Sequence, residues 1–228
     1  MATSYPFSHI AVIGIGLIGT SIVHAAKYRN LPVTFAAFDN NPDVRAEAAD
    51  LLSHIKITTT LQQAIEDAEL VILAVPVGVM EQVIKDIAPY LRPGCVITDT
   101  GSTKRSVIRD VLPFVPKACN FIPGHPLAGT EFSGPAAGFA SLFETRYWLI
   151  LPNGSPEDKV AGLTTFLSDL GALVETMDAD YHDRVLAITS HLPHLLAYTI
   201  VGPELDLEQE LKNDVIRFSA SGFRDFTR

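Results

Sequence analysis

Residues 9–19 read His9-Ile10-Ala11-Val12-Ile13-Gly14-Ile15-Gly16-Leu17-Ile18-Gly19, and this stretch decides the fold. Five residues of strand character run into three glycines spaced G-x-G-x-x-G, and from Leu17 onward apolar residues fall at helical spacing. Each glycine has a physical task. The first permits a tight turn, the second lets a diphosphate come against the backbone, and the third lets helix and strand pack closely. An anion placed there meets free N–H groups and the positive end of a helix dipole. The motif predicts a dinucleotide site at the opening of an α/β sheet, with Gly14, Gly16, Leu17, Ile18 and Gly19 against the cofactor.

Outward from the glycines, a second apolar run at 33–38 ends at Asp39, twenty residues past Gly19. A carboxylate at that place accepts hydrogen bonds from the adenosine ribose hydroxyls and repels a 2′-phosphate. Asn40 and Asn41 follow with no adjacent arginine, so the pattern favours NAD over NADP. The competing reading of the same residues is a plain glycine turn, with Asp39 capping a helix at 42–52. Further strand-like runs at 70–74, 96–98, 120–122, 148–151 and 173–175 alternate with helical spacing at 17–28, 61–66, 77–91, 104–112 and 157–170. This alternation predicts a doubly wound, mostly parallel sheet of the Rossmann type. Ligands of such sheets sit beyond the carboxyl ends of the strands, which puts Val75, Pro76, Thr100, Gly101 and Ser102 along the crevice.

The composition narrows the partners. The 228 residues carry 17 Lys+Arg against 26 Asp+Glu, a formal net charge of −9, so neither nucleic acid nor an anionic membrane is an expected partner. Cys95 and Cys119 read as reduced core thiols. No basic leader precedes an apolar run and no stretch has the roughly 20 apolar residues of a membrane helix, so a soluble cytoplasmic protein is expected. After Glu175 the texture changes to helical spacing over 180–201, interrupted at Pro193. Residues 1–178 are therefore expected to form the dinucleotide domain and 179–228 the start of a helical domain. Its end, at 219–228, carries no terminating signal, so this second domain is expected to be incomplete.

A dehydrogenase needs a group that takes a hydroxyl proton as hydride leaves carbon, and histidine suits this near neutral pH. His9, His24 and His54 read as surface or packing residues. His125 differs, because Gly124-His125-Pro126-Leu127-Ala128-Gly129-Thr130-Glu131 directly follows a short strand and reads as a fixed loop. His191 and His194 share a helix face, but no carboxylate or cysteine cluster accompanies them and Pro193 intervenes, so no metal is expected. Arg224 and Arg228 follow a small-residue turn. They read either as carboxylate clamps or as surface partners of Asp225.

The stretches GIGLIG, TDTGSTK, GHPLAGTEFSG, HDRVLAITSHLPH and SASGFRDFTR, in this order, resemble the prephenate dehydrogenase family, especially its bacterial cyclohexadienyl branch. The resemblance implies an enzyme of tyrosine biosynthesis. It would oxidise prephenate or arogenate with NAD, release carbon dioxide and form 4-hydroxyphenylpyruvate or tyrosine. It also implies that His125 accepts the proton of the ring 4-hydroxyl and that Ser102 contacts that hydroxyl and orients the histidine. Glu131, with Thr130 beside it, would stand at the pocket mouth, His194 on the substrate side of the helical domain, and Arg228 on the ring carboxylate. His194, able to donate to a keto-acid side chain, tips the choice towards prephenate. A complete helical domain would make the protein a homodimer. Two other readings compete: a non-catalytic NAD-binding sensor, and a β-hydroxyacid dehydrogenase, whose catalytic lysine has only Lys104 as a nearby candidate.

Overall fold

β1 (His9–Ile13) is the axis of the molecule's main sheet. Its side chains alternate between two cores: Ile10 and Val12 pack on one face, Ala11 and Ile13 on the other. Both faces are therefore covered, which is why β4 (Leu70–Leu73) is a continuous buried Leu-Val-Ile-Leu run rather than an alternating one. With β2 (Thr34–Phe38), β3 (Lys56–Ile57), β5 (Val96–Asp99) and β6 (Asn120–Phe121) the order is β3-β2-β1-β4-β5-β6, and every pairing is parallel. This is the dinucleotide-binding order of the Rossmann fold. The computed structural model describes residues 5–201, in two compact units divided between Asp180 and Tyr181.

Helices α1 (Leu17–Tyr28), α2 (Pro42–Leu51), α3 (Leu61–Ile65), α4 (Met80–Ile87) and α5 (Arg105–Val111) connect these strands. α1 buries Gly19, Thr20, Ser21, Ala25 and Ala26, small residues that let it lie close to the sheet. The single helix expected over 77–91 is three pieces: α4 is flanked by 3₁₀ turns at Val77–Val79 and Ala88–Tyr90. Pro89, which has no N–H to give, sits in the second turn.

The late strands do not extend the main sheet. β7 (Gly124–Pro126), β8 (Tyr147–Ile150) and β9 (Leu173–Thr176) form a second sheet of three, antiparallel between β7 and β8 and parallel between β8 and β9. α6 (Glu157–Asp169) links β8 to β9 and buries Leu163, Phe166 and Leu167. The stretch around His125, expected as a fixed loop, is thus a strand, with His125 opposite Leu149. Trp148, fully buried, packs against Phe143 with ring centroids 4.9 Å apart and planes tilted by 45°.

Beyond β9 come α7 (Ala179–Leu186), a π-helical turn at Ala187–His191, and α8 (Leu192–Val201). Pro193 does not interrupt the helix as expected. The widened π turn precedes it, so the missing proline N–H falls in the first turn of α8, where a donor is not needed.

Gly14 has φ +96°, and a Cβ there would run into the Ala74 carbonyl; a Cβ at Gly16 would meet nothing within 4 Å. Gly14→Ala is expected to cost at least about 1–3 kcal/mol from backbone strain, whereas Gly16→Ala stays within about 1 kcal/mol of wild type. Urea unfolding of the two variants checks the contrast.

Candidate active site

Parallel register aligns the carboxyl ends of the central strands. The Gly14 N–H donates to the Phe38 carbonyl at 2.8 Å, the Ala74 N–H to Ile13 at 2.7 Å and the Thr100 N–H to Leu73 at 3.1 Å. Gly14, Asp39, Ala74 and Thr100 therefore leave the sheet side by side along one edge. At that edge α1 opens on Gly16, with no side chain capping it and no acidic residue in its first turn. Its first amides are left for an anion. The three glycines divide their work by position. Gly14 turns the chain under Ala74, Gly19 packs where a Cβ would strike the Gly14 carbonyl, and Gly16 faces open space. A diphosphate fits at Gly16.

Asp39 ties two loops together. Its Oδ2 accepts from the Ile15 N–H at 3.0 Å and its Oδ1 from the Asn41 N–H at 3.0 Å. The cap of α2 is Asn41, whose side chain accepts from the Asp43 N–H at 2.9 Å, so Asp39 is not the capping residue. The sequence reading missed Arg45. It saw no arginine adjacent to Asp39, yet Arg45 reaches back from the first turn of α2, and its Nη1 donates to the carbonyls of Asp39 at 2.7 Å and Asn40 at 3.2 Å. Its guanidinium lies over the Phe38 ring, 5.5 Å from the centroid. The only signal in the sequence was a basic residue one helical turn into α2.

At the end of β5 a second construction begins. Asp99 and Lys104 are both fully buried and form an ion pair through Oδ2 and Nζ. Asp99 Oδ2 also accepts from the Gly101 N–H at 2.8 Å, while Oδ1 accepts from the Gly124 N–H at 3.1 Å. Lys104 Nζ donates to the Gly124 carbonyl at 2.6 Å. Both polar groups of Gly124 are thus held by one charge pair, immediately before His125. Position 124 has no room for a side chain: a Cβ would lie 2.8 Å from the Asp99 carbonyl and 2.9 Å from Thr98 Oγ1. Burial pushes the Asp99 carboxyl up, and the ammonium of Lys104 with the two backbone N–H groups pulls it back.

Around this clamp the proposed site residues take different places. His125 is buried, 8% exposed. Thr100 and Val75 are half-buried, Gly101 is buried, and Pro76 and Ser102 are exposed in the turns after β4 and β5. Thr130 and Glu131 are exposed beyond β7, with Thr130 Oγ1 accepting from the Phe132 N–H at 3.2 Å.

Family models match the chain over nearly its whole length. The nucleotide-binding domain of prephenate dehydrogenase matches residues 24–176 and its dimerization domain residues 178–228. The chain belongs to the prephenate dehydrogenase family. Among members of the family, the cyclohexadienyl dehydrogenase of Zymomonas mobilis is 40% identical over 97% of this chain and 76% of its own length. The prephenate dehydrogenase of Lactococcus lactis is 35% identical over 96% of this chain, which spans 60% of it. The crystal structure of A. aeolicus prephenate dehydrogenase in complex with hydroxyphenyl propionate and NAD+ matches with a TM-score of 0.87 at 27% identity, covering 99% of this chain and 79% of that one.

Within this prephenate dehydrogenase fold the remaining polar groups divide by unit. In the helical unit His182 is buried with Nδ1 2.8 Å from Asp183, and His191 Nε2 is buried without a hydrogen-bond partner among the described residues. The His194 side chain and Arg228 lie outside the described residues. In the first unit, a cleft of about 560 Å³ lies away from the glycine loop, between the end of α1 and the start of β2, lined by Lys27, Phe35 and His54 among others. Burial and Lys27 hold His54 below the usual imidazole range. Cys95 is a buried thiol pushed up to about 12 by burial, whereas Cys119 is only half-buried, so the expectation of two core thiols holds for Cys95 alone. Among the described residues no helix is long and apolar enough to cross a membrane.

Removing Lys104 would leave the Asp99 carboxylate buried without its counter-charge. Lys104→Met is expected to lower unfolding free energy by about 3–5 kcal/mol, measured by urea denaturation.

Proposed function

We propose that the chain catalyses the NAD-dependent oxidative decarboxylation of prephenate, or of arogenate, with His125 as the proton acceptor. The observation that carries this reading is the fixing of His125: a histidine on a buried strand, its preceding residue gripped at both N–H and C=O by Asp99 and Lys104 at the carboxyl end of β5. The Zymomonas relative's name and the NAD+ bound to the A. aeolicus structure support the activity and the cofactor.

NAD, when bound, would lie with its diphosphate at Gly14–Gly19 and its adenosine ribose at Asp39, and it supplies a hydride acceptor. Val75, Pro76, Thr100 and Gly101 would line the crevice on the way to the nicotinamide. His125 takes the proton of the substrate's 4-hydroxyl as hydride leaves C4, so the C–O bond becomes a carbonyl. The bond from C1 to its carboxylate then breaks, carbon dioxide leaves, and the electron pair flows through the ring to that oxygen. The resulting phenolate takes a proton back, and His125 is placed to return it. Aromatisation drives the step, so the protein's task is orientation and proton transfer. Ser102 would share the 4-hydroxyl with His125. Thr130, Glu131 and His194 would line the substrate side, and Arg228 would hold the ring carboxylate as a paired anion until it leaves as neutral gas. The dimerization-domain match supports a homodimer as the working state.

The test follows NADH at 340 nm with NAD and prephenate. His125→Asn is expected to lower kcat by about 100-fold or more while NAD affinity holds. Unchanged turnover would refute the assignment, and NAD binding with no turnover in the wild-type chain would favour the sensor instead.

A further inference from the structure

We infer that Arg45 sets the cofactor preference against Asp39 by forming a latent site for a 2′-phosphate on the adenosine ribose. The inference rests on the reading that the adenosine ribose sits at Asp39. Arg45 reaches the same loop from the first turn of α2. Its guanidinium is bound to the carbonyls of Asp39 and Asn40, not to the Asp39 carboxylate, and it makes no ion pair among the described residues. Only Nη1 is engaged; Nε and Nη2 donate to nothing among the described residues. The Phe38 ring beneath the guanidinium limits where it can swing.

The two charges oppose each other at one place. The Asp39 carboxylate, held by the Ile15 and Asn41 N–H groups, is fixed in position and repels a phosphate ester on the ribose. The guanidinium, with two nitrogens uncommitted among the described residues and the Phe38 ring beneath it, has the donor fork that a phosphate accepts. Asn40 and Asn41 add no charge to the balance. NAD preference is then the net result of a carboxylate that wins over an arginine already in place, and removing that carboxylate exposes the arginine's attraction.

The probes are ADP-ribose and 2′-phospho-ADP-ribose, titrated calorimetrically into the full chain so that binding is read apart from turnover. Wild type is expected to favour ADP-ribose. Asp39→Ser should weaken ADP-ribose and tighten 2′-phospho-ADP-ribose by roughly tenfold, and Arg45→Met in that background should take back that tenfold gain while leaving ADP-ribose affinity within about twofold of the single variant. The regained affinity should also fall with added salt, as an exposed charge contact does. If Asp39→Ser shifts the preference and Arg45→Met fails to reverse it, the role of Arg45 is overturned and the ribose assignment stands. If Asp39→Ser moves neither affinity, the ribose assignment falls and the inference with it. Circular dichroism of each variant separates these outcomes from misfolding. Should the double variant misfold, Arg45→Lys in the Asp39→Ser background decides the point: a point charge without the fork is expected to keep only part of the gain, and an undiminished gain would also overturn the role of Arg45.

Discussion

The ion pair between Asp99 and Lys104 is the interaction on which the rest depends. It stands at the carboxyl end of β5, where it meets Gly124 at the start of β7, and its hydrogen bonds go to the Gly101 and Gly124 backbones. Two fully buried charges cost several kcal/mol each in desolvation, so the pair is weak evidence of net stability. Its value is positional. A charge pair fixed by three backbone hydrogen bonds has one arrangement, whereas an apolar contact at the same place could slide, and the residue one step beyond Gly124 is His125.

The same logic governs the other end of the edge. Asp39 joins the glycine loop to the loop after β2, and Arg45 braces the second loop from outside. The loops at this end of the sheet are thus held by hydrogen bonds between backbone groups and charged side chains. The open ground at Gly16 and the uncapped start of α1 lie between these fixed points. Both ends of the edge use one device, a buried or half-buried charge that orders the main chain.

Much of this was legible in the sequence, and the reasons are particular. β1 and α1 span the residues expected of them because a five-residue apolar run, three spaced glycines and a helical stripe all agree. β3, two residues long, has no periodicity to read, and β7 was hidden by its flanking glycine and proline, which ordinarily mark loops. The partnership of Asp99 and Lys104 escaped because aspartate and lysine read as solvent-facing by default. The one hint was a carboxylate directly after the buried Val96-Ile97-Thr98 run. Arg45 escaped because its contact runs backwards over a helical turn, and linear adjacency does not measure that. The roles of Ser102, Glu131, His194 and Arg228 came from family resemblance, and no spacing argument would have supplied them.

We propose that His125, fixed by a buried charge pair, accepts the hydroxyl proton. The pH dependence of kcat/KM for prephenate, measured at saturating NAD in wild type and His125→Asn, tests it most directly. Wild-type kcat/KM is expected to fall on the acid side as one group protonates, and the residual activity of His125→Asn to lack this fall. The same acid limb in the variant would contradict it.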